Sequence, residues 1–385
     1  MSVRRAGAGP LLPGSTLGVL GGGQLGRMMG LAARRMGYRI VVLDPDARCP
    51  TGQVADEVVI GGLTDEEAAL ELAGLVDVVT LDTEHVPADL LDRLEEVVPV
   101  RPRASVLRTI QDRQTQKTFL DGLGLPQTRW APITDDAGLD AAIAEVGLPA
   151  ILKVRRAGYD GKGQVRIERA EDAAAAWDRV GKRPAVLERV VDFVREVSVV
   201  LARGLDGAIA IYPIAENVHR RHILHTTRAP APMPAERQAR AEAIARRIAD
   251  DLGHVGVMAV ELFELADGAL LVNEIAPRTH NSGHYTYGAA ATSQFEQHIR
   301  AVCGLPLGDP RPLSGAVMLN LIGELWRDGD PPWQHVLARP EARLHLYGKL
   351  APAPGRKMGH VLLLDDDTDR ALGVAEELLA ALTPA

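Results

Sequence analysis

The sequence predicts an α/β protein that begins with a parallel sheet and continues into a central unit of the α+β class. In the N-terminal part of the chain, short apolar runs alternate with helical runs, which is typical of βαβ units. Further along, two alternating apolar runs flank Asp267-Gly268, and this pattern indicates a β-hairpin. At 385 residues the chain is too long for one ordinary core, so we expect two or three domains.

The composition excludes several functional classes. Hydrophobic residues make up 46% of the chain and charged residues 24%, as in soluble globular proteins. An aromatic content of 4% and a net charge of −8 argue against a nucleic-acid partner. The two cysteines, Cys49 and Cys303, form neither a disulfide framework nor a zinc motif and fit a cytoplasmic protein. No apolar run has the length of a membrane span, and residues 1–14 are expected to form a disordered tail.

The first unit is expected to cover residues 15–116. Strands are predicted at 16–20, 39–43, 57–60 and 76–81, and helices at 24–36, 65–73 and 88–96. Between the first strand and helix, the segment from Gly21 to Gly26 matches G-x-G-x-x-G, and Asp44 follows the second strand. The match favours phosphate contact at the helix N-terminus over a nicotinamide cofactor. A tight strand-to-helix turn without a ligand is the alternative.

A second unit begins at residue 117 and contains a glycine-rich loop. A short buried strand at 150–154 carries Lys153 near its end, and the loop Arg155–Gln164 combines glycines with cations. The loop does not match the P-loop pattern, but such a loop can cover nucleotide phosphates. The alternative is a polar hairpin turn between Val154 and Val165. Further strands are predicted at 185–191 and 195–201, followed by an amphipathic helix at 235–252.

The hairpin predicts a metal site. If Asp267 and Gly268 form the two-residue loop of a type I′ turn, Glu261 lies directly opposite Glu274. Two facing carboxylates repel each other unless a cation lies between them. Mg²⁺ prefers carboxylate and phosphate oxygens, so the pair predicts a metal–nucleotide site. In the last unit, from residue 306, three cations near glycines (Lys349, Arg356 and Lys357) indicate an anion site or, equally, a basic surface turn.

Taken together, these motifs resemble the ATP-grasp superfamily and, within it, the N5-carboxyaminoimidazole ribonucleotide synthetases. The resemblance extends from about residue 16 to the C-terminus. It is carried by the segments Gly22–Met28, Asp112–Lys117, Gly158–Gln164, Asn273–His284 and Pro354–His360. It implies a Rossmann-like preATP-grasp domain at 15–116, an ATP-grasp domain at 117–305 and a small C-terminal domain at 306–385. It also implies a cytoplasmic homodimer that carboxylates 5-aminoimidazole ribonucleotide with ATP and bicarbonate.

The resemblance further implies roles for individual residues. Mg²⁺, or Mn²⁺ in its place, would be held by Glu261 and Glu274. ATP would be bound by Arg113, Lys153, Gly158, Tyr159, Asp160, Gly161, Lys162, Gly163, Gln164, Glu188, Arg189, Val190, Val191, Glu196, His219, Asn273 and Glu274. The ribonucleotide would be bound by Gln24, Leu25, Glu84, Lys349, Arg356 and Lys357. Catalysis would involve Tyr159, Asp160, Lys162, Arg278, His280 and Asn281. The sequence departs from the family pattern at His85, where asparagine is more usual, and in the Pro/Ala-rich segment 350–355.

Rival functions share parts of this pattern. A formate-dependent glycinamide ribonucleotide transformylase would share the nucleotide half, but the run from His280 to His284 favours carboxylation. A biotin carboxylase would be longer. An NAD-dependent dehydrogenase leaves Glu261 and Glu274 unexplained, and a non-catalytic nucleotide sensor does not need a full set of metal carboxylates and cations. For His219, the alternative is a surface histidine in a polar run with His222 and His225.

Overall fold

The computed structural model describes residues 9–156 and 163–383. The strands in these ranges are β1 (Thr16–Leu20), β2 (Arg39–Asp44), β3 (Glu57–Ile60), β4 (Val78–Leu81), β5 (Trp130–Ile133), β6 (Ala150–Val154), β7 (Gln164–Ile167), β8 (Ala185–Arg189), β9 (Phe193–Arg203), β10 (Ile209–Ile211), β11 (Ala215–Arg220), β12 (Ile223–Ala229), β13 (Gly256–Leu265), β14 (Leu270–Ala276), β15 (Ala316–Ile322), β16 (Ala342–Leu346) and β17 (Lys357–Leu364). The helices are α1 (Gln24–Arg35), α2 (Glu66–Leu75), α3 (Ala88–Glu95), α4 (Ala104–Ile110), α5 (Arg113–Gly122), α6 (Asp136–Val146), α7 (Ala173–Arg179), α8 (Ala235–Asp251), α9 (Thr286–Ala289), α10 (Gln294–Val302), α11 (Gln334–Leu337) and α12 (Thr368–Leu382).

The first unit is the predicted parallel sheet. Its strands lie in the order β3-β2-β1-β4, and the pairs β1–β2, β1–β4 and β2–β3 are parallel. The predicted strands and helices are all present, with ends that differ by one or two residues at most. The pattern was informative because a parallel sheet buries both faces, so its strands are continuous apolar runs. All five residues of β1, for example, are buried.

Two antiparallel sheets form the rest of the molecule. The small sheet has the order β5-β8-β6-β7, and the large one β14-β13-β9-β11-β12-β15-β17-β16, with β10 beside β9. The strands of the C-terminal unit belong to the large sheet, because β12 pairs with β15 from Thr226↔Leu319 to Ala229↔Ala316. The boundary expected near residue 306 is therefore crossed by one continuous sheet. Within the described residues, no helix is both long and apolar enough for a membrane span.

Residues 11–14 contact the body of the protein. The Leu11 N–H donates to the Cys303 carbonyl (2.8 Å), and the Tyr38 hydroxyl donates to the Leu11 carbonyl (2.7 Å). The Gly14 N–H donates to the Gly37 carbonyl (2.9 Å). The expectation of a disordered tail over residues 1–14 is therefore wrong for this part of it. Hydrogen bonds with Gly37, Tyr38 and Cys303, which the composition of the tail did not indicate, hold the segment.

The hairpin has the predicted pairing but not the predicted turn. Its loop has three residues, because the Gly268 N–H donates to the Leu265 carbonyl and the Leu265 N–H to the Ala269 carbonyl (both 2.9 Å). A type I′ turn would need a positive φ at both Asp267 and Gly268, and only Gly268 has one (82°). The turn is therefore type I followed by a G1 bulge. A second bulge, at Asn273, restores the pairing of Glu261 with Glu274. The two one-residue shifts cancel.

Replacing Gly268 with alanine tests the turn. We expect the free energy of unfolding to fall by about 1–2 kcal/mol, because an L side chain disfavours left-handed backbone. The new Cβ would also lie 2.6 Å from Arg237 Nε. Urea denaturation followed by circular dichroism measures the change. The control is Gly74→Ala in α2, where a Cβ meets no atom within 4 Å and alanine favours the helix. Equal effects of the two substitutions would contradict the turn.

Candidate active site

A cavity of about 370 Å³ separates the small sheet from the large one. Its lining comes from β6 and β8 on one side and from β9 and β13 on the other. The lining residues are Thr128, Ile151, Lys153, Arg166, Glu188, Arg189, Val190, Val191, Asp192, Phe193 and Phe263. Phe193 and Phe263 stack with ring centroids 4.6 Å apart. The cavity therefore has the size of a small-molecule site, and its stacked phenylalanines offer an apolar surface to a nucleotide base. Five of the predicted ATP residues line it.

The backbone of residues 188–191 is only in part available to a base. The N–H groups of Arg189 and Val190 already donate to the carbonyls of Arg129 (2.8 Å) and Pro149 (3.0 Å). These two N–H groups are therefore not available to a base edge, although Arg189 and Val190 both line the cavity. The reason lies in the sheet, since β8 is flanked on both sides by β5 and β6.

The buried Glu188 side chain organises the cations beside the cavity. The Nζ atoms of Lys117 and Lys153 each lie 3.2 Å from Glu188 Oε2, and the Thr128 hydroxyl donates to the same oxygen (3.0 Å). Burial by itself would raise the pKa of Glu188, but Lys153, Lys117 and Arg113 outweigh it and lower the pKa to about 2. Sequence reasoning missed Lys117, because a lysine within a helix looks like a surface residue until its buried partner is known.

A second carboxylate anchors the glycine-rich loop. Asp112 caps α5, accepts two hydrogen bonds from Arg155 (3.0 and 2.8 Å) and one from Arg156 Nε (3.2 Å). The N–H of Arg113 donates to the Arg155 carbonyl (2.9 Å). Asp112 thus ties the helix that carries Arg113 and Lys117 to the start of the loop. Its position at a helix N-cap was the available signal, but its contact with Arg155 depends on tertiary structure.

Only the ends of the glycine-rich loop can be located. Lys153 of β6 pairs with Gln164 of β7, and the Val154 N–H donates to the Gly163 carbonyl (2.9 Å). The loop therefore connects β6 and β7, the two strands of a β-hairpin beside the cavity between the sheets. A loop that covers nucleotide phosphates and a polar hairpin turn are both compatible with this position. The predicted residues within it, Gly158, Tyr159, Asp160, Gly161 and Lys162, lie outside the described part of the chain.

The large sheet brings three predicted glutamates onto one face. Glu261 is opposite Glu274 on one side and opposite Ser198 on the other, two residues along β9 from Glu196. Because of the bulge, two residues of β14, Asn273 and Glu274, face Glu261 alone. Burial and the charge of Glu274 together raise the pKa of Glu261 to about 7. Such a pair fits a divalent cation, whose charge would remove the repulsion.

The donor set limits how a cation could bind here. Among the described residues, no three His, Cys, Asp or Glu side chains are grouped to hold a metal ion. Two carboxylates on one side, with the remaining ligands from a bound phosphate group, correspond to the usual coordination of Mg²⁺ in nucleotide-dependent enzymes. Glu196 is not needed for it, because its Oε2 is hydrogen-bonded to His219 Nδ1. That bond raises the pKa of His219 in spite of burial, so His219 is not an unpartnered surface histidine.

Glu84 of the first unit and Arg278 of the second form an ion pair that joins the two units. Arg278 Nη2 donates to Glu84 Oε1 (2.9 Å) and its Nε to the other carboxylate oxygen. Burial would raise the pKa of Glu84, but Arg278 outweighs it and lowers the pKa to about 2. Glu84 was predicted to bind the ribonucleotide and Arg278 to take part in catalysis, and the structure joins the two side chains. The pairing was not visible in the sequence because 194 positions separate the two residues.

His280 connects this pair with the carboxylates. Its Nε2 lies 3.6 Å from Glu261 Oε1. Burial and the positive charge of Arg278 hold the pKa of His280 well below its usual range, so the ring is neutral. The neighbouring Asn281 is buried, and its Oδ1 has no hydrogen-bond partner among the described residues. An unsatisfied buried oxygen beside the carboxylates is expected where a ligand supplies the missing donor.

In the first unit, α1 faces the C-terminal unit. Gln24 and Leu25 begin α1, and the next N–H, of Gly26, donates to Asp82 Oδ1 (2.6 Å). Desolvation raises the pKa of Asp82 to about 6. Sequence reasoning missed Asp82, although it belongs to the same segment as Glu84. Gln53 Nε2 donates to the Gly348 carbonyl (2.7 Å), which fixes the segment that precedes Lys349 against the first unit.

The three predicted cations of the C-terminal unit lie in different surroundings. Lys349 is close enough to Asp82 to lower its pKa, so it faces the first helix. Lys357 lowers the pKa values of Glu261 and His280 and therefore lies towards the carboxylates. Arg356 is exposed, and its Nη1 donates to the Ala351 carbonyl of its own loop (2.6 Å). For Arg356 the structure matches the basic surface turn that was the alternative.

Replacing Glu274 with glutamine tests the like-charge contact. Without the neighbouring charge, the pKa of Glu261 is expected to fall from about 7 towards 4.5, without reaching it because burial remains. A ¹³C NMR titration of the carboxyl groups in nucleotide-free and metal-free protein measures it. The control is Glu67→Gln, on an exposed position of α2. An unchanged Glu261 titration in the Glu274→Gln variant would contradict the contact.

Comparison with known proteins follows the same division of the chain. Family models match the ribonucleotide synthetase preATP-grasp domain at residues 15–111, the ATP-grasp domain at 118–295 and the phosphoribosylaminoimidazole carboxylase C-terminal domain at 316–373. N5-carboxyaminoimidazole ribonucleotide synthase of Brucella melitensis is 46% identical over 91% of this chain and 96% of that protein.

Solved structures agree with the sequence relatives. N5-carboxyaminoimidazole synthetase of Staphylococcus aureus with ADP has a TM-score of 0.91 at 36% identity, over 97% of this chain and 98% of that one. The Aspergillus clavatus synthase with ADP and 5-aminoimidazole ribonucleotide has a TM-score of 0.88 at 32% identity, over 97% and 99%. The chain therefore belongs to the N5-carboxyaminoimidazole ribonucleotide synthase family of ATP-grasp ligases.

Proposed function

We propose that this protein carboxylates 5-aminoimidazole ribonucleotide on its amine, using ATP and bicarbonate and releasing ADP and phosphate, in purine biosynthesis. The observation that carries this proposal is the position of the segment Arg278–His280. Arg278 is bonded to Glu84 of the first unit, whereas His280 Nε2 lies 3.6 Å from Glu261 of the carboxylate pair. A γ-phosphate held at the carboxylates and an amine held at the first unit would therefore meet at this segment.

The nucleotide end is proposed to work by positioning and charge neutralisation. The adenine would lie in the cavity between the sheets, with Lys153, Lys117 and Arg113 beside the phosphates. Bicarbonate is a poor electrophile, so transfer of the γ-phosphate onto it, giving carboxyphosphate and ADP, would precede attack by the amine. Phosphoryl transfer needs alignment and charge stabilisation more than a protein nucleophile. The loop from Gly158 to Gln164 would cover the nucleotide and exclude water.

Mg²⁺ is proposed to bind at Glu261 and Glu274, with Asn273 beside them. The ion supplies charge compensation for the phosphate oxygens when it is bound. The two glutamates would hold it through their carboxylate oxygens, and the pKa of Glu261, raised by burial and by the charge of Glu274, supports a positive charge at this place. Glu196, bonded to His219, would contact the ribose.

The carboxylation step would take place beside Arg278, His280 and Asn281. A bond forms between the amine nitrogen and the carboxyl carbon, the bond from that carbon to the phosphate oxygen breaks, and phosphate and a proton are released. The ribonucleotide phosphate would lie between the N-terminus of α1, at Gln24 and Leu25, and Lys349. Asp82 already occupies the Gly26 N–H, so the phosphate would use the amides that precede it. The resemblance further supports a cytoplasmic homodimer. Light scattering measures the molar mass in solution and therefore tests the oligomeric state.

Substrate dependence tests the reaction. ADP release should be stimulated by 5-aminoimidazole ribonucleotide with bicarbonate and not by glycinamide ribonucleotide with formate. A coupled assay for ADP, together with detection of the carboxylated product, distinguishes the two. Stimulation only by glycinamide ribonucleotide and formate would show that the chain is the transformylase instead. Protein without any ribonucleotide gives the background rate.

The metal assignment has its own test. Glu274→Gln should abolish Mg²⁺-dependent ATP turnover while the unfolding transition stays intact, because glutamine keeps the shape of the side chain and removes its charge. Steady-state ADP release at saturating Mg²⁺ measures the loss, with Glu67→Gln as the matched surface control. Wild-type turnover in Glu274→Gln would remove Glu274 from the metal site.

A further inference from the structure

A buried chain of hydrogen bonds ends at His280. The Thr227 hydroxyl is 3.0 Å from Asn217 Oδ1, and Asn217 Nδ2 is 3.0 Å from Ser198 Oγ. Ser198 Oγ is 2.8 Å from Ser282 Oγ, which is 2.8 Å from His280 Nδ1. Thr227, Asn217, Ser198 and Ser282 are all buried. The chain crosses the large sheet from β12 through β11 to β9 and then passes to the segment after β14.

The direction of the chain follows from one backbone group. The Ser282 N–H points at His280 Nδ1 (3.3 Å), and an N–H can only donate. His280 Nδ1 must therefore accept, so it carries no proton, and the Ser282 hydroxyl donates to it as well. Ser282 Oγ then accepts from Ser198, Ser198 from the Asn217 amide, and Asn217 Oδ1 from Thr227. Every donor in the chain points towards His280.

A neutral imidazole has one protonated nitrogen, so the proton of His280 lies on Nε2. Because Nδ1 accepts from the Ser282 N–H and hydroxyl, the ring is not doubly protonated. Nε2 is the atom that lies 3.6 Å from Glu261 Oε1, on the side of the carboxylates. Gln294 holds the backbone of His280 from both sides, because its Oε1 accepts from the His280 N–H (3.0 Å) and its Nε2 donates to the His280 carbonyl (2.7 Å).

We propose that Ser282, supported by Ser198, Asn217 and Thr227, is a positioning residue that keeps His280 in the Nε2–H tautomer. His280 then acts as a hydrogen-bond donor towards the carboxylates and the carboxyl group transferred there, and not as the base that accepts the amine proton. The inference rests on the proposed function, because it gives His280 a role in carboxylation. The chain itself is a property of the fold, so the tautomer can be measured without turnover.

The first experiment measures the tautomer in the wild-type protein. ¹⁵N-labelled histidine is observed by long-range ¹H–¹⁵N correlation near pH 7.5, and the His280 signals are assigned by their loss in His280→Gln. We expect an unprotonated Nδ1 and a protonated Nε2. A protonated Nδ1, or a doubly protonated ring, overturns the proposal. This result depends neither on the Ser282→Ala variant nor on which substrate the enzyme uses.

The second experiment removes the last donor of the chain. Ser282→Ala removes the hydroxyl contact (2.8 Å) and leaves only the longer backbone N–H contact (3.3 Å) to Nδ1. It should therefore give a mixture of His280 tautomers and lower the kcat for carboxylated product by about fivefold, the factor that one hydrogen bond contributes. KM for ATP should stay unchanged. Ser314→Ala is the control, because the Ser314 hydroxyl donates to the carbonyl of its own neighbour, Gly315 (2.8 Å), and takes no part in the chain that ends at His280. An unaltered tautomer in Ser282→Ala overturns the positioning role.

The proposed function and the role of Ser282 are contradicted by different results. If the wild-type protein forms no carboxylated ribonucleotide, the proposed function is wrong, while the histidine spectrum still decides the tautomer. If the protein carboxylates normally but His280 carries its proton on Nδ1, the function stands and the inference about Ser282 is wrong. A loss of product in Ser282→Ala with a wild-type histidine spectrum also counts against it.

Discussion

The face-to-face arrangement of Glu261 and Glu274 is the constraint on which the rest of the site depends. Strand β13 is hydrogen-bonded on both sides, to β9 and to β14, and the residues that flank Glu261, Val260 and Leu262, are almost completely buried. The sheet therefore fixes the position of Glu261 whatever its charge. Repulsion and burial raise its pKa to about 7, so the ligand-free fold holds a local electrostatic strain. A bound cation would relieve that strain, which links the stability of this region to its ligand.

The carboxylates of the candidate active site fall into two groups according to their pKa values. Glu188 and Glu84, which are paired with cations of the protein itself, have pKa values of about 2. They are permanently charged and hold Lys117, Lys153 and Arg278 in place. Glu261 and Asp82 have raised values, about 7 and about 6, because burial is not compensated by an equally close cation. The carboxylates of the first group hold the cations of the site in place. Those of the second group lie where positive charge is missing from the site. This separation supports a site with one end for a metal–phosphate group and another for a ribonucleotide.

The hairpin illustrates how sequence reasoning succeeded and where it failed. The pairing of Glu261 with Glu274 was correct, but it was derived from a type I′ turn that does not exist. The G1 bulge at Gly268 shifts the register by one residue, and the bulge at Asn273 shifts it back. A bulge is set by side-chain packing on both faces of the sheet, so no local pattern predicted it. The bulge at Asn273 nevertheless matters, because it places both Asn273 and Glu274 opposite Glu261.

By itself, the sequence determined the parallel first unit and the hairpin carboxylates, because apolar periodicity and turn residues are local properties of the chain. The resemblance of its motifs indicated the family. Only the tertiary structure decided which charges meet. Asp112 with Arg155, Lys117 with Glu188 and Glu84 with Arg278 are pairs of residues far apart in sequence. The continuation of the large sheet into the C-terminal unit, and the chain of hydrogen bonds that ends at His280, have the same origin. Hydrogen bonds and ion pairs act over a few ångströms, so they depend on how strands are ordered in a sheet, which a single sequence does not state.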